Sequence, residues 1–195
     1  MLPAAPGDVL AVSAGPWWAR QLIEAGERLR GLACPVDHVV IVTHQDRVGR
    51  WIGIQGQPGG VALADCTPYL SAPVTRSNHG QPKPAAGSPE MTVFLASCAK
   101  SLGIGYDWAG IAEDGLDALH LHDLAGLVNR LWAWPANRML LPGHLVCSSL
   151  AANLYEIADW PHPSMDTERQ CEPADWWRWN DRQMWKLAPP PAGKQ

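Results

Sequence analysis

Residues 36–43 read Val-Asp-His-Val-Val-Ile-Val-Thr, an almost unbroken β-branched run with one imidazole inside it. A strand of this composition has no polar face to give to water, so it predicts a buried strand. Period two assigns Val36, His38, Val40 and Val42 to one face. His38 then needs a hydrogen-bond partner, because an unpaired imidazole in such surroundings costs on the order of 1–3 kcal/mol.

The flanking sequence surrounds that strand with others. Gly7-Asp8 opens a short apolar run over residues 8–13, which predicts a strand. Trp18, Leu22, Ala25 and Leu29 then follow at helical spacing, up to Gly31. After a polar turn at residues 44–49, residues 50–55 predict a second strand of a hairpin, with Trp51, Gly53 and Gln55 on one face. Gly59-Gly60 leads to a third strand over residues 61–64, completing an antiparallel meander.

Residues 72–90 carry Pro73, Pro82, Pro84 and Pro89 among Ser, Asn and Gly, which predicts a long loop and the most mobile part of the fold. Ser88-Pro89-Glu90 is a helix start, and Met91, Phe94, Leu95, Cys98 and Leu102 give its apolar stripe up to Gly103. Leucines from Leu116 to Leu131 mark a further helix, broken at Trp134-Pro135. Residues 146–159 predict another, with Leu150, Ala151, Leu154 and Ala158 as its buried face. The tryptophan-rich segment 172–188 gives no clear element, and residues 189–195 are expected to be a disordered tail. Segregated strands and helices make the expected class α+β, in a single domain spanning residues 1–188.

Composition removes several functions. The 15 Lys plus Arg against 19 Asp plus Glu give a net charge of −4 with no basic run, which excludes a nucleic-acid-binding face. No window reaches the roughly 18 apolar residues of a membrane span. Pro3, Pro6, Gly7 and Asp8 interrupt what would be the apolar core of an export signal. The expected location is therefore cytoplasmic, or outside the cell by delivery without a signal, for instance by a phage particle. Five widely spaced cysteines, with no Cys-x-x-Cys, fit reduced thiols. Eleven tryptophans against one phenylalanine and three tyrosines concentrate the aromatic area in one residue type.

Cys147 follows Pro142-Gly143-His144 and falls in the first turn of its expected helix, where unpaired N–H groups and the helix dipole stabilise a thiolate. That position suits a nucleophile, and equally a small buried side chain. A thiolate nucleophile needs a base, and the base needs a third group to hold its ring. His38 is the candidate base, with a core histidine bonded to a backbone carbonyl as the alternative. Gln55, on the neighbouring strand of the hairpin, is placed to accept from its ring nitrogen.

The order Gly7-Asp8-Val-Leu-Ala-Val, Asp37-His38-Val-Val-Ile-Val, Trp-Ile-Gly-Ile-Gln55-Gly, Gly105-Tyr106-Asp107-Trp108 and Val146-Cys147-Ser148-Ser149-Leu150 resembles the circularly permuted branch of the NlpC superfamily. These are papain-like cysteine hydrolases, related to the lecithin:retinol acyltransferase group. The resemblance implies an antiparallel sheet packed against helices, with the nucleophile at a helix N-terminus. It implies Cys147 as nucleophile, His38 as base, Gln55 as the orienting residue, and Tyr106 near the oxyanion or substrate. Glu172-Pro173-Ala174-Asp175 is similar to the Pro-x-Asp segment that often closes such domains. Two departures stand out: Gln55 replaces a common Glu, and Val39-Val40 replaces the usual Val-Gly.

The implied reaction cleaves an amide through an acyl-enzyme thioester, with a peptidoglycan stem peptide as the expected substrate and no cofactor. Thioester or lipid acyl chemistry is the alternative, and a degenerate binding module the non-enzymatic one. Arg47, Arg50 or Arg76 would anchor a charged peptide, whereas Trp17, Trp18, Trp51 and Trp108 would line an apolar entrance for an acyl chain. His120, His122 and His144 with Cys147 offer a zinc set, but on a helix His120 and His122 point about 200° apart, and no metal is expected. The oligomeric state is not legible.

Overall fold

The run that begins at His38 forms the middle strand of a five-stranded sheet. The computed structural model describes residues 1–14, 20–21, 34–57, 59–105, 147–163 and 171–186. Its strands are β1 (Val9–Val12), β2 (His38–Gln45), β3 (Trp51–Gln57), β4 (Gly60–Asp65) and β5 (Arg76–Ser77), in the order β4-β3-β2-β1-β5. Every neighbouring pair is antiparallel, and β2-β3-β4 is the expected meander. With the helices α1 (Pro89–Lys100), α2 (Cys147–Ile157) and α3 (Pro173–Asp181), the class is α+β. The helix expected from Trp18, the one expected over Leu116–Leu131, and the terminal tail lie outside the described residues. Among the described residues no helix is long and apolar enough to cross a membrane.

Both faces of the sheet are covered, which is why β2 is apolar throughout. Val9, Ala11, Val39, Ile41 and Ile54 pack with Phe94, Leu150, Ala151, Leu154 and Trp176 from the helices. Leu10, Val12, Val40 and Val42 pack on the other side against Cys66 and Leu70. Val36 departs from the expected alternation, since it joins Val39 and Ile41 on the helical side. It precedes the strand, where the backbone is still irregular: Asp37 N–H reaches Val12 O at 3.1 Å, and the Asp37 carboxylate accepts from Ala14 N–H at 2.9 Å. Regular pleating begins only after it.

α1 starts as expected, with Ser88 Oγ accepting from Met91 N–H at 3.2 Å and Pro89 in the first turn, where its missing N–H costs nothing. Met91, Phe94 and Cys98 are buried, but Leu102 lies past the helix end at Ser101 and is 40% exposed, so the buried stripe stops at Cys98. The tryptophan-rich segment is the helix α3. Its Trp176 and Trp179 are buried, and the Asp175 carboxylate accepts from Glu172 N–H at 3.0 Å to fix its first turn. Trp160 stacks on Phe94 with centroids 4.3 Å apart, and Tyr155 meets Trp160 and Trp176 edge-on at 5.1 and 5.3 Å. Trp160, Trp176 and Trp179 thus serve the core.

The proline-rich span differs from the expected loop. Arg76-Ser77 pairs with Ala11 and Leu10 as the edge strand β5, and the fully buried Asn78 follows it. Asn78 Oδ1 accepts from Val9 N–H at 2.7 Å, and its Nδ2 donates to Tyr155 Oη at 2.7 Å and Gln81 Oε1 at 2.9 Å. The Tyr155 hydroxyl in turn donates to Gly7 O. Lys83 Nζ bonds Asp8 Oδ1 at 2.9 Å, with burial pulling its pKa down against the opposing pull of Asp8. A composition that reads as loose is fastened by side chains whose partners are distant in sequence.

One glycine of β3 is required by close approach. A Cβ on Gly53 would collide with Cys66 Sγ and lie 2.6 Å from Ile41 O and 2.8 Å from Val40 Cγ1. Gly53→Ala is expected to lower stability by about 1–3 kcal/mol, seen as a lower urea midpoint at unchanged slope.

Candidate functional site

Cys147 is the first residue of α2, a helix whose Leu150, Ala151, Ala152 and Leu154 are buried in the core shared with the sheet. The first peptide N–H groups of such a helix have no acceptor within it, so its end carries a partial positive charge. Ser148 is held at two points by the segment leading into α3: its hydroxyl donates to Cys171 O, and its carbonyl accepts from Trp176 Nε1 at 3.2 Å. The turn that carries the thiol is thereby fixed from both sides.

The opposing group comes from the end of the β2-β3 ladder. That ladder runs from Gln45–Trp51 to Ile41–Ile54. Beyond it, the start of β2 pairs with β1, and the end of β3 pairs with β4. A side-chain bond then joins the two strands: His38 Nε2 and Gln55 Oε1 are 2.9 Å apart. The Cys147 thiol acts on the same imidazole, through its charge and as a hydrogen-bonding group. With Nε2 facing Gln55, Nδ1 is the nitrogen left for it. Gln55 Nε2 donates onward to Gln57 Oε1 at 2.8 Å.

Electrostatics favour a charged ring. Burial pushes the His38 pKa down, but the negative charge available on Cys147 and its hydrogen bond, then the bond from Gln55 and the charge of Asp37, outweigh it and hold the value above the usual 6.5. Burial dominates at two other thiols, pushing Cys66 up to about 12 with help from the charge of Asp65, and Cys98 up to about 12 against a backbone hydrogen bond. Those two remain protonated and unreactive near neutrality.

Three of the residues singled out from the sequence, Cys147, His38 and Gln55, therefore come together. Trp51 does not. It packs against the second core and lies four residues along an extended strand from Gln55, about 13 Å away. Arg47 and Arg50 occupy the β2-β3 turn, at the opposite end of the hairpin from His38, and Arg50 Nε is paired with Asp46 at 2.8 Å. Arg76 pairs with Asp181 at 3.1 Å and lies over the Trp177 ring. Arg47 and Arg50 therefore lie away from the thiol, and Arg76 is engaged by Asp181 and Trp177. Tyr106, Trp108, Trp17, Trp18, His120, His122 and His144 lie outside the described residues. Among the described residues no three His, Cys, Asp or Glu side chains are grouped as a metal site. Gln57 and the Ser148 fastening were missed. The first was legible as a second glutamine at period two from Gln55, whereas the fastening joins residues 23 and 28 positions apart and left no local signal.

Compared with known proteins, the chain matches no family model, no curated protein and no solved structure.

The raised His38 pKa has a signed consequence. The folded state holds this proton more tightly than the unfolded chain, so the stabilisation is fully present below about pH 6.5 and is lost as pH rises through the folded-state value. Thermal melts of wild type and His38→Gln are expected to show a difference that shrinks as pH is raised beyond about 6.5. A difference constant over that range would contradict the assignment.

Proposed function

We propose that this chain is a cysteine hydrolase of the permuted papain-like kind, in which Cys147 attacks a carbonyl, His38 moves the proton and Gln55 holds the ring. The observation that carries the reading is a single imidazole shared between a thiol at the first residue of a helix and an amide oxygen on the adjacent strand. It is supported by the order of these groups along the chain, base strand before nucleophile helix, which is the order the permuted branch uses.

In this mechanism His38 takes the Cys147 proton at Nδ1, and the thiolate adds to the carbonyl carbon of an amide. The oxyanion is met by the N–H of Cys147 at the helix end. Collapse breaks the C–N bond, and the imidazolium gives its proton to the departing amine. Water, losing a proton to His38, then attacks the thioester, and the carboxylic acid leaves as the thiol is restored. Gln55, as a neutral amide, orients the ring and accepts its Nε2–H without contributing a charge.

The substrate class proposed is a peptidoglycan stem peptide, on the resemblance to the permuted NlpC branch. Acyl transfer would use the same three groups, and a substrate panel separates the two. Cys147→Ala and His38→Ala are expected to lower muropeptide turnover by at least about a thousandfold, with Cys98→Ala unchanged. Hydrolysis of acyl thioesters or monoacyl lipids in place of muropeptides would move the assignment to acyl chemistry.

The nucleophile can be tested without a substrate. Iodoacetamide is expected to label Cys147 well ahead of Cys66 and Cys98, and His38→Ala is expected to abolish the lead. Equal slow labelling of all three would overturn the catalytic reading in favour of a binding module.

A further inference from the structure

A glutamine in the third position brings a choice that a glutamate does not. Its amide can turn either its oxygen or its NH2 towards His38, and the two orientations have opposite consequences. With the oxygen on Nε2, that nitrogen keeps its hydrogen, and Nδ1 offers a lone pair to the thiol. With the NH2 there, Nε2 carries the lone pair, Nδ1–H faces the sulfur, and the ring can take no proton from it. The imidazolium form, with N–H on both sides, accepts only the oxygen.

The neighbouring side chain bears on that choice. Gln57 lies two residues along β3, on the same side of the strand as Gln55. Across the β3-β4 pairing Gln55 stands opposite Ala62 and Gln57 opposite Gly60, so neither amide faces a long side chain on β4. Gln57 Oε1 accepts from Gln55 Nε2 at 2.8 Å while Gln55 Oε1 meets His38 Nε2 at 2.9 Å.

We propose that Gln57 is a positioning residue: by engaging the NH2 of Gln55 it turns the Gln55 oxygen to His38 and so sets the proton on Nε2, leaving Nδ1 to serve Cys147. The inference deepens the hydrolase reading and rests on it for its catalytic meaning. It also accounts for how a glutamine does work for which the related pattern commonly uses a glutamate. A carboxylate has two acceptor oxygens, cannot be misoriented, and needs no such neighbour.

The test reads the ring directly. Nitrogen-15 NMR of His38 is recorded on the full chain carrying Cys147→Ser, so that no thiolate competes for the ring proton, at alkaline pH where the ring is neutral. The Nε2–H tautomer is expected to dominate, to lose its dominance in Gln57→Met, and to regain it in Gln57→Glu, which can only accept. In the chain with its thiol, Gln57→Met is expected to lower kcat about fivefold at unchanged KM, the worth of one hydrogen bond. Gln57→Glu should restore it, and in a Gln55→Glu background Gln57→Met should cost nothing. A tautomer ratio unmoved by Gln57→Met, no rescue by Gln57→Glu, or a cost that persists beside Glu at position 55 would each overturn the proposal. A responsive tautomer in a chain that hydrolyses no substrate would count against the hydrolase reading alone, and an unmoved one in an active chain against Gln57 alone.

Discussion

An imidazole at the start of a strand buried on both faces must find a partner for each ring nitrogen, and the rest of the architecture is arranged around that need. The β2-β3 ladder closes at Ile41–Ile54, and just past it His38 and Gln55 are bonded through their side chains. The helix N-terminus brings the thiol close enough to act on the ring. Each partner alone leaves a desolvated polar atom, whereas the two together also hold the His38 proton more firmly than water does.

Holding that geometry falls to packing on the helical face. The aromatic group of Phe94, Tyr155, Trp160 and Trp176 sits between α1, α2 and α3, and the last of these tryptophans also grips the carbonyl next to the thiol. The same side chain is thus core filler at its ring and fastening at its nitrogen. Away from this region, Asn78 and Tyr155 bind the proline-rich span to β1 and Gly7 through buried hydrogen bonds. The sheet edge is closed by polar complementarity as well as by apolar contact.

What could be read from the residues, and what could not, follows the range of each interaction. The meander was legible because its apolar runs and glycine-bearing turns are local, and the start of α1 because Ser88-Pro89 satisfies the helix end within one turn. Cys147, His38 and Gln55 were legible as a set because a buried imidazole, a cysteine at a helix start and a polar residue on the adjoining strand each stand out from their surroundings. Trp51 was misplaced because period two gives the side of a strand but not the distance along it. β5 was hidden because two residues carry no pattern, and α3 because tryptophans on several sides of a short helix blur its period. Arg47 and Arg50 were misassigned because closeness in sequence to the strand of His38 says nothing about which end of it they occupy.

The fastenings around α3 span long stretches of chain. Asn180 Nδ2 donates to Val9 O across 171 positions, and Trp176 and Cys171 grip Ser148 from beyond α2. Closing such contacts requires the polymer to surrender the entropy of very large loops before it gains their enthalpy, which places this topology among the slow folders. During synthesis the meander emerges from the ribosome long before the pieces that complete it. A nascent chain cut off ahead of Cys171 has the strand with its imidazole, yet lacks the brace that steadies the sulfur. The brace is thereby formed only once Cys171 and Trp176 have been made.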